Sequence, residues 1–286
     1  MEHNVYQLIA EKFSLMSKSQ KKIASYVLEH TNTVPFFNVA NLAAETGVAK
    51  ATVVRFAVFL GYSGYPELQQ DMQHSVKQQL STTERLRMSS QIVEGKDQII
   101  YDIFHRDQEN IQSTMQQLDE KSFLKAVEAL LEAKNIYISA NRSASSLGVF
   151  LQYYLSIMLG NSEMVSTVED SAEQLYELGE NDVVFAISYS RYTMSTINMA
   201  AYAKQQGATT IVLTDSLLSP LIPHADIALT ASSQLPTFID SFIAPLSLIN
   251  ALVAVIGKER MREVEMRLEK FEDIWDKLDI FYKKDD

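Results

Sequence analysis

Along this chain the spacing of apolar positions changes once, and the change divides it in two. Up to about residue 75 the apolar positions recur at helical spacing. Ile23, Tyr26, Val27 and His30 stand at i, i+3, i+4 and i+7, one face of a helix. Before them, Ser17-Lys18-Ser19-Gln20 has the spacing of a capping box, in which the Ser17 hydroxyl accepts from the third helical amide and Gln20 reaches back. Asn4 to Phe13 is a shorter amphipathic piece, and Pro35 ends the stretch that follows Ser17. Asn38 to Glu45 and Lys50 to Leu60 predict two more helices, closed by Gly47 and Gly61. A polar helix starts near Pro66, whose fixed φ suits a first turn. Two further helical stretches run from Asp97 to about Ala133.

Beyond that point the period shortens. Asn135–Ser139, Asp182–Ile187, Thr209–Leu213 and Asp226–Thr230 are short continuous apolar runs, and Glu163–Thr167 is a candidate fifth. Helical segments, Ser145–Leu159 and Met194–Gln206, lie between them. Apolar strands alternating with helices predict a parallel sheet covered on both faces. The fold class is therefore two domains: an all-α N-terminal domain, then a doubly wound α/β domain with flanking helices. After Pro236 the chain returns to helix, with an apolar stretch Ile239–Ile256 and a charge-dense one Glu259–Lys277. Either is a candidate assembly surface, and the apolar one is equally a candidate for core. The Gln-, Ser- and Thr-rich stretch 75–97 reads as a helix tail and linker. The expected domains are 1–77 and 98–286, joined by a linker at 78–97.

Composition narrows the class. The 286 residues are 47% hydrophobic, enough for real cores, and contain no cysteine, which removes disulfides and thiolate metal sites and fits a reducing compartment. The first residues lack a signal-peptide pattern, and the apolar run Phe242–Gly257 is broken by Pro245, Ser247 and Asn250, so a cytoplasmic protein without a membrane segment is expected. The net charge of −11 argues against nucleic acid only until its distribution is considered. Residues 1–80 hold seven basic and six acidic side chains, so the acid lies beyond them and DNA binding by the first domain stays open.

Within Val39–Val58, Ala43, Gly47 and Val53 fall at relative positions 0, +4 and +10. A helix-turn-helix needs that spacing: a small residue for close helix approach, glycine for a positive-φ turn, and a β-branched residue packing the second helix on the first. Leu42, Val48 and Phe56 supply the surrounding core. The second helix would then present Lys50, Ala51, Thr52 and Arg55 to the major groove. Arginine can chelate guanine, threonine can meet a base edge or thymine methyl, alanine allows close approach, and Lys50 can serve a base or a phosphate. An ordinary two-helix corner would show the same spacing.

In the second half, hydroxyls crowd the carboxyl ends of the strands, where parallel sheets hold ligands. Ser139-Ala-Asn-Arg-Ser-Ala-Ser-Ser146 follows one strand, Ser188-Tyr-Ser-Arg-Tyr-Thr193 another and Thr214-Asp-Ser216 a third. Hydroxyls before a helix N-terminus make an anion site, or else simply cap the helices. The five histidines include one, His224, in the α/β half, near the start of a strand and so at the wrong edge for a site. Metal-ligand spacings and a Gly-x-Gly-x-x-Gly are absent; no catalytic residue, metal or cofactor is expected.

Several segments together resemble the RpiR-type regulators: Lys18–His30, Val39–Val48, Ala51–Phe56 and Leu60–Tyr65. Ala49 departs from that family, which usually has serine there to cap the recognition helix. Ile136–Leu229 resembles the SIS domain, the phosphosugar-binding module that follows the RpiR helix-turn-helix. Its Ser-x-Ser-Gly-x-Thr motif falls on Ser188, Ser190 and Thr193, and Ser143 falls on a hydroxyl or small position of the first loop. Both loops depart from the family. Its Gly-x-Gly-x-Ser is Ala140, Arg142 and Ala144 here, and the glycine of the second motif is Arg191. Each loop thus exchanges a glycine for an arginine, which either binds an anion directly or fills a degenerate pocket. The resemblance implies a DNA-binding transcriptional regulator, a homodimer or tetramer on a double-stranded operator, sensing a small anionic carbohydrate derivative such as a phosphosugar. The alternatives are an aldose–ketose phosphate isomerase with a helical appendage, or a regulator of a non-phosphorylated acidic sugar.

Overall fold

The computed structural model describes residues 5–31, 33–79, 82–86, 96–234, 237 and 239–282. Residues 1–4, and residues 80–81 and 87–95 of the expected linker, lie outside the described residues. The chain divides into two compact units, one built on Met1–Ile99 and the other on Ile100–Leu235 and Asp240–Asp286.

The first unit is helical: α1 (Val5–Lys12), α2 (Lys18–Glu29), α3 (Val39–Thr46), α4 (Lys50–Leu60) and α5 (Tyr65–Gln79). The capping box forms as spaced, with Gln20 N–H donating to Ser17 Oγ at 3.4 Å and Ser17 N–H to Gln20 Oε1 at 2.9 Å. Asn38 caps α3 through Asn41 N–H at 2.8 Å. One apolar cluster gathers Ile9, Ile23, Val27, Leu42, Val53 and Phe56, all fully buried. Fixing α3 against α4 is the work of Gly47, at φ 63°: Val48 N–H reaches Ala43 O at 3.0 Å and Gly47 N–H reaches Ala44 O at 3.2 Å. That pair of bonds is a Schellman motif, and it satisfies carbonyls a helix end would otherwise leave open.

The second unit contains α6 (Lys96–Gln117), which straddles the division, and α7 (Glu120–Glu132). Then come β1 (Ile136–Ala140), α8 (Ser145–Met158), β2 (Ser162–Val165), β3 (Val183–Ile187), α9 (Met194–Gln205), β4 (Thr209–Thr214) and β5 (Ile227–Thr230). Two helices close the chain, α10 (Ile243–Glu259) and α11 (Met261–Lys277). The five strands are parallel in the order β2-β1-β3-β4-β5. β1 and β3 are buried at every position because both faces are covered. On one face Leu130, Leu151 and Leu252, from α7, α8 and α10, pack against Ile138 and Phe185. On the other, Met199 and Ala203 of α9 cover Val184 and Tyr137. α8 approaches β1 closely: a Cβ on Gly148 would lie 2.7 Å from Ala140 Cβ.

One expectation changes and one open alternative is resolved. The apolar helix begins at Ile243, not Ile239, because Ser241 N–H bonds back to Ser233 O at 3.1 Å and holds the preceding segment out of helix. Its apolar stripe (Leu248, Ile249, Leu252 and Ile256) is spent in the core, so of the two readings of that helix, core is the one realised.

Candidate functional site

In the first unit, the outer side of α4 is what the helix-turn-helix offers. Val53, Phe56 and Leu60 point inward. Lys50, Ala51 and Arg55 are exposed and Thr52 is half-buried, so the structure places all four on the free side of the helix start. An Arg55 Nη lies 3.5 Å from Thr52 Oγ1, one helical turn apart on one face. Val54 and Val58 extend that face and are 40% and 54% exposed, methyl surface that sequence reasoning did not single out. At Ala49 no side chain caps the helix, as its lack of a hydroxyl requires.

In the second unit the geometry converges on one edge of the sheet. In the order 2-1-3-4-5 the chain leaves β1 and β3 in opposite directions, and the crevice between them is where such folds hold ligands. Ala140 pairs with Ile187, so the loops after β1 and β3 leave the sheet from adjacent positions. The first carries Arg142 and Ser143, the second Ser188, Ser190, Arg191 and Thr193. The first loop is braced by Asn141, whose Nδ2 donates to Thr196 Oγ1 in the first turn of α9 at 3.0 Å and to Ser166 O after β2 at 3.1 Å. Tyr192 OH donates to Asp215 Oδ1 at 2.7 Å, tying the β3 loop to the β4 loop. Burial, and then the Asp215 carboxylate, push that phenol well above its usual range, so it remains a donor.

The hydroxyls do little of the capping that would have explained them away. No side chain caps α8 or α9 at the N-cap position. Ser145 and Ser146 turn back to donate to the carbonyls of Arg142 and Ser143 at 2.6 and 2.9 Å. Ser188, buried, accepts from Thr193 N–H at 3.2 Å and shapes its loop. Ser190 Oγ is buried without a partner, as are Ser139 Oγ, Tyr189 OH and Ser233 Oγ. These four belong to β1, the β3 loop and the segment after β5. An unmade bond on a buried hydroxyl costs about 1–3 kcal/mol, and native proteins retain few of them without a reason. Ser139 and Tyr189 adjoin the expected set, whereas Ser233 follows the edge strand β5. Ser139 and Tyr189 stood inside hydroxyl-rich strings, whereas Ser233 had no pattern to mark it.

Both loop arginines occupy left-handed backbone, Arg142 at φ 58° and Arg191 at φ 64°. Outside glycine this conformation costs about 1–2 kcal/mol per residue. Both side chains are exposed, while Ser143, also exposed, sits beside Arg142.

A helix-turn-helix domain followed by a doubly wound parallel sheet marks the class of two-domain transcriptional regulators. The chain carries both domains of an RpiR-type regulator. Residues 3–79 match the model of the rpiR-family helix-turn-helix domain, and residues 129–255 match that of the SIS domain. A transcriptional regulator of the helix-turn-helix type from Caldanaerobacter subterraneus is 29% identical over 282 residues, covering 95% of this chain and 96% of that protein. HexR of Pseudomonas aeruginosa, likewise named a regulator, is 22% identical over 279 residues, covering 94% and 95%. Among solved structures, the sugar isomerase domain of an RpiR transcription factor from Sphaerobacter thermophilus matches with TM-score 0.59 and 24% identity, covering 62% of this chain and 99% of that one. The Vibrio vulnificus NanR protein complexed with ManNAc-6P matches with TM-score 0.59 and 23% identity, covering 96% and 99%. Both share the fold. The relatives spanning nearly the whole chain carry the names of regulators, not enzymes. Among the described residues no helix is long and apolar enough to cross a membrane, and no group of three or more candidate ligand side chains could hold a metal.

Proposed function

We propose that this regulator senses a small phosphorylated sugar in the crevice between the β1 and β3 loops and that binding there alters its grip on operator DNA as a cytoplasmic dimer. The carrying observation is the coincidence, at one switch point, of buried unpartnered hydroxyls with two arginines held in strained backbone. In this reading Ser188, Ser190, Thr193 and Ser143 supply hydroxyls to the phosphate, and Arg142 and Arg191 supply charge in place of the loop glycines. A neighbour of the same fold complexed with a sugar phosphate supports the ligand class. Lys50, Ala51, Thr52 and Arg55 read or position the DNA. Residues 1–77 form the DNA-binding domain and 98–286 the sensor, and two-fold symmetry matches two recognition helices to two half-sites.

A second reading is favoured by the loss of both glycines. Without close backbone approach, a carboxylate chelated by guanidinium becomes a competent ligand. Titration calorimetry of the full chain with a panel of sugar phosphates and sugar acids separates the two. Micromolar binding of a phosphosugar that weakens in the Ser190→Ala variant supports the first reading. Binding confined to non-phosphorylated acids supports the second. No binding by either class sinks the sensor assignment at this site.

A further inference from the structure

α6 presents its polar side to its own domain and its apolar side to solvent. From Asp107 onward the inward positions are Asp107, Asn110 and Thr114, with half-buried Ile103 one turn before them. Asn110 donates to Gln234 O at 2.8 Å and accepts from Ser232 Oγ and Gln234 N–H at 2.7 and 3.0 Å. Thr114 Oγ1 accepts from Ser232 N–H at 2.9 Å, and Asp107 accepts from Ser241 Oγ at 2.5 Å. The outward positions are Tyr101, Phe104, Gln108, Ile111 and Met115, continued by Leu118 just past the helix end. They advance by alternating steps of three and four, the a and d positions of a heptad. Tyr101, Phe104 and Met115 are 69%, 66% and 69% exposed, and Ile111 and Leu118 are 37% and 36% exposed. A helix on a globular domain carries its apolar stripe inward; from Phe104 onward this one carries it outward.

We infer that this seam packs against the same seam of a second copy of the chain. The inference rests on the dimer reading above, and locates the interface that reading needs. A two-fold axis demands a self-complementary face, which a single heptad seam provides. Gln108 stands midway between Tyr101 and Met115, so an axis crossing there sets two amides against each other and fixes the register with one polar pair. Large apolar side chains carry about 150–250 Å² each. With a third to two thirds of that exposed, five of them offer on the order of 600 Å² per copy, or about 1,200 Å² between two, where specific interfaces begin. The other apolar helix, α10, is already spent in the core.

The chain has no cysteine, so Gln108→Cys in the full-length protein introduces a single thiol. Under mild oxidation it is expected to cross-link into a covalent dimer, while Glu109→Cys, exposed but off the seam, stays monomeric on a non-reducing gel. Phe104→Lys with Met115→Lys is expected to weaken the dimer at least 100-fold by sedimentation, with an unchanged circular dichroism spectrum. A dimer of undiminished affinity in the lysine variant, with no Gln108→Cys cross-link, overturns the seam and leaves the dimer reading standing. A wild-type chain that sediments as a monomer at every concentration overturns both. Should the lysine variant fail to fold, the cysteine pair decides alone: equal or absent cross-linking at the two positions refutes the seam.

Discussion

Replacing Arg142 or Arg191 by glycine and by alanine separates strain from chemistry at the two loops. Both residues hold φ near 60°. An L-residue there loses about 1–2 kcal/mol to the clash of Cβ with the following carbonyl. Glycine removes the clash but gives the unfolded chain freedom worth about 0.4–1 kcal/mol against folding. Both replacements lose the side chain and whatever it holds, and alanine keeps Cβ and with it the strain, so at each position the glycine variant is expected to be up to about 1 kcal/mol more stable than the alanine variant. For a unit of this size 1 kcal/mol corresponds to about 2–4 °C in Tm. The assay is selective because Trp275, the chain's single tryptophan, lies in α11 stacked on Phe271 at 5.7 Å, so its fluorescence follows the second unit. If the arginines are retained for an anion, both replacements lose ligand affinity, although one of them is the more stable protein. Glycine variants no more stable than alanine variants would refute the strain. Glycine variants that bind the phosphosugar as tightly as the wild type would refute the role assigned to the guanidinium groups, and would mean that the hydroxyls bind alone.

Other consequences are as direct. Arg55→Ala is expected to cost about 1–3 kcal/mol of operator affinity and to relax preference at one base pair, whereas Lys50→Ala, if it meets a phosphate, lowers the slope of log affinity against log salt by about one; binding titrations at several salt concentrations read both. Ala49→Ser restores a hydroxyl at the uncapped start of α4 and is expected to stabilise the first unit by about 1 kcal/mol in thermal unfolding. Gly148→Ala forces a Cβ to 2.7 Å from that of Ala140 and is expected to cost about 1–3 kcal/mol, read as a lowered urea midpoint in Trp275 fluorescence. Asn110→Ala strands Ser232 Oγ and Gln234 O; a loss of about 1–3 kcal/mol is expected, with faster amide exchange at Ser232–Gln234 than in β3.

The elements and their order were legible because each is specified locally. Ser17 and Gln20 write a cap, Gly47 writes a turn, and apolar runs of four to six residues write buried strands. That the hydroxyl- and arginine-rich loops follow two strands was legible too, and the topology makes those strands neighbours. What stayed hidden depends on packing between distant segments. Ile239 is apolar and reads as helix, yet the Ser241–Ser233 bond postpones α10 to Ile243. Ser233 becomes a site candidate only once burial removes its water. The left-handed φ of Arg142 and Arg191 was implied by the glycines they replace, but φ itself is not a property of a side chain's chemistry. α6 shows the opposite failure: its heptad was present in the letters, while its orientation was not, because a periodicity does not say which face meets the protein.

Those two hidden features bear on one another. The segment that α6 clamps through Asn110 and Thr114 includes Ser233, whose hydroxyl is buried and unpartnered. A ligand can move an equilibrium only by the difference in its affinity for the two states, and a shift from 1:99 to 99:1 requires about 5.5 kcal/mol. An unmade bond on a buried hydroxyl is worth about 1–3 kcal/mol, and a bond to a charged group about 1.5–3 kcal/mol. Two or three such bonds made in one arrangement and missed in the other therefore span the required difference. They can do so only if the groups move relative to each other. Asn141 ties the loop after β1 to the start of α9 and to the segment after β2, whereas the segment after β5 is held by Asn110 and Thr114 of α6, so that a change of that segment with occupancy would have to pass through those bonds. Any such change acts on α6, and through a seam on its outer face acts on the second copy. On this reading an effector variant at Ser190 and a clamp variant at Asn110 both lose regulation, but only the former loses ligand affinity in proportion. Equal losses of affinity in the two would place Asn110 in the ligand pocket and remove the strut from the mechanism.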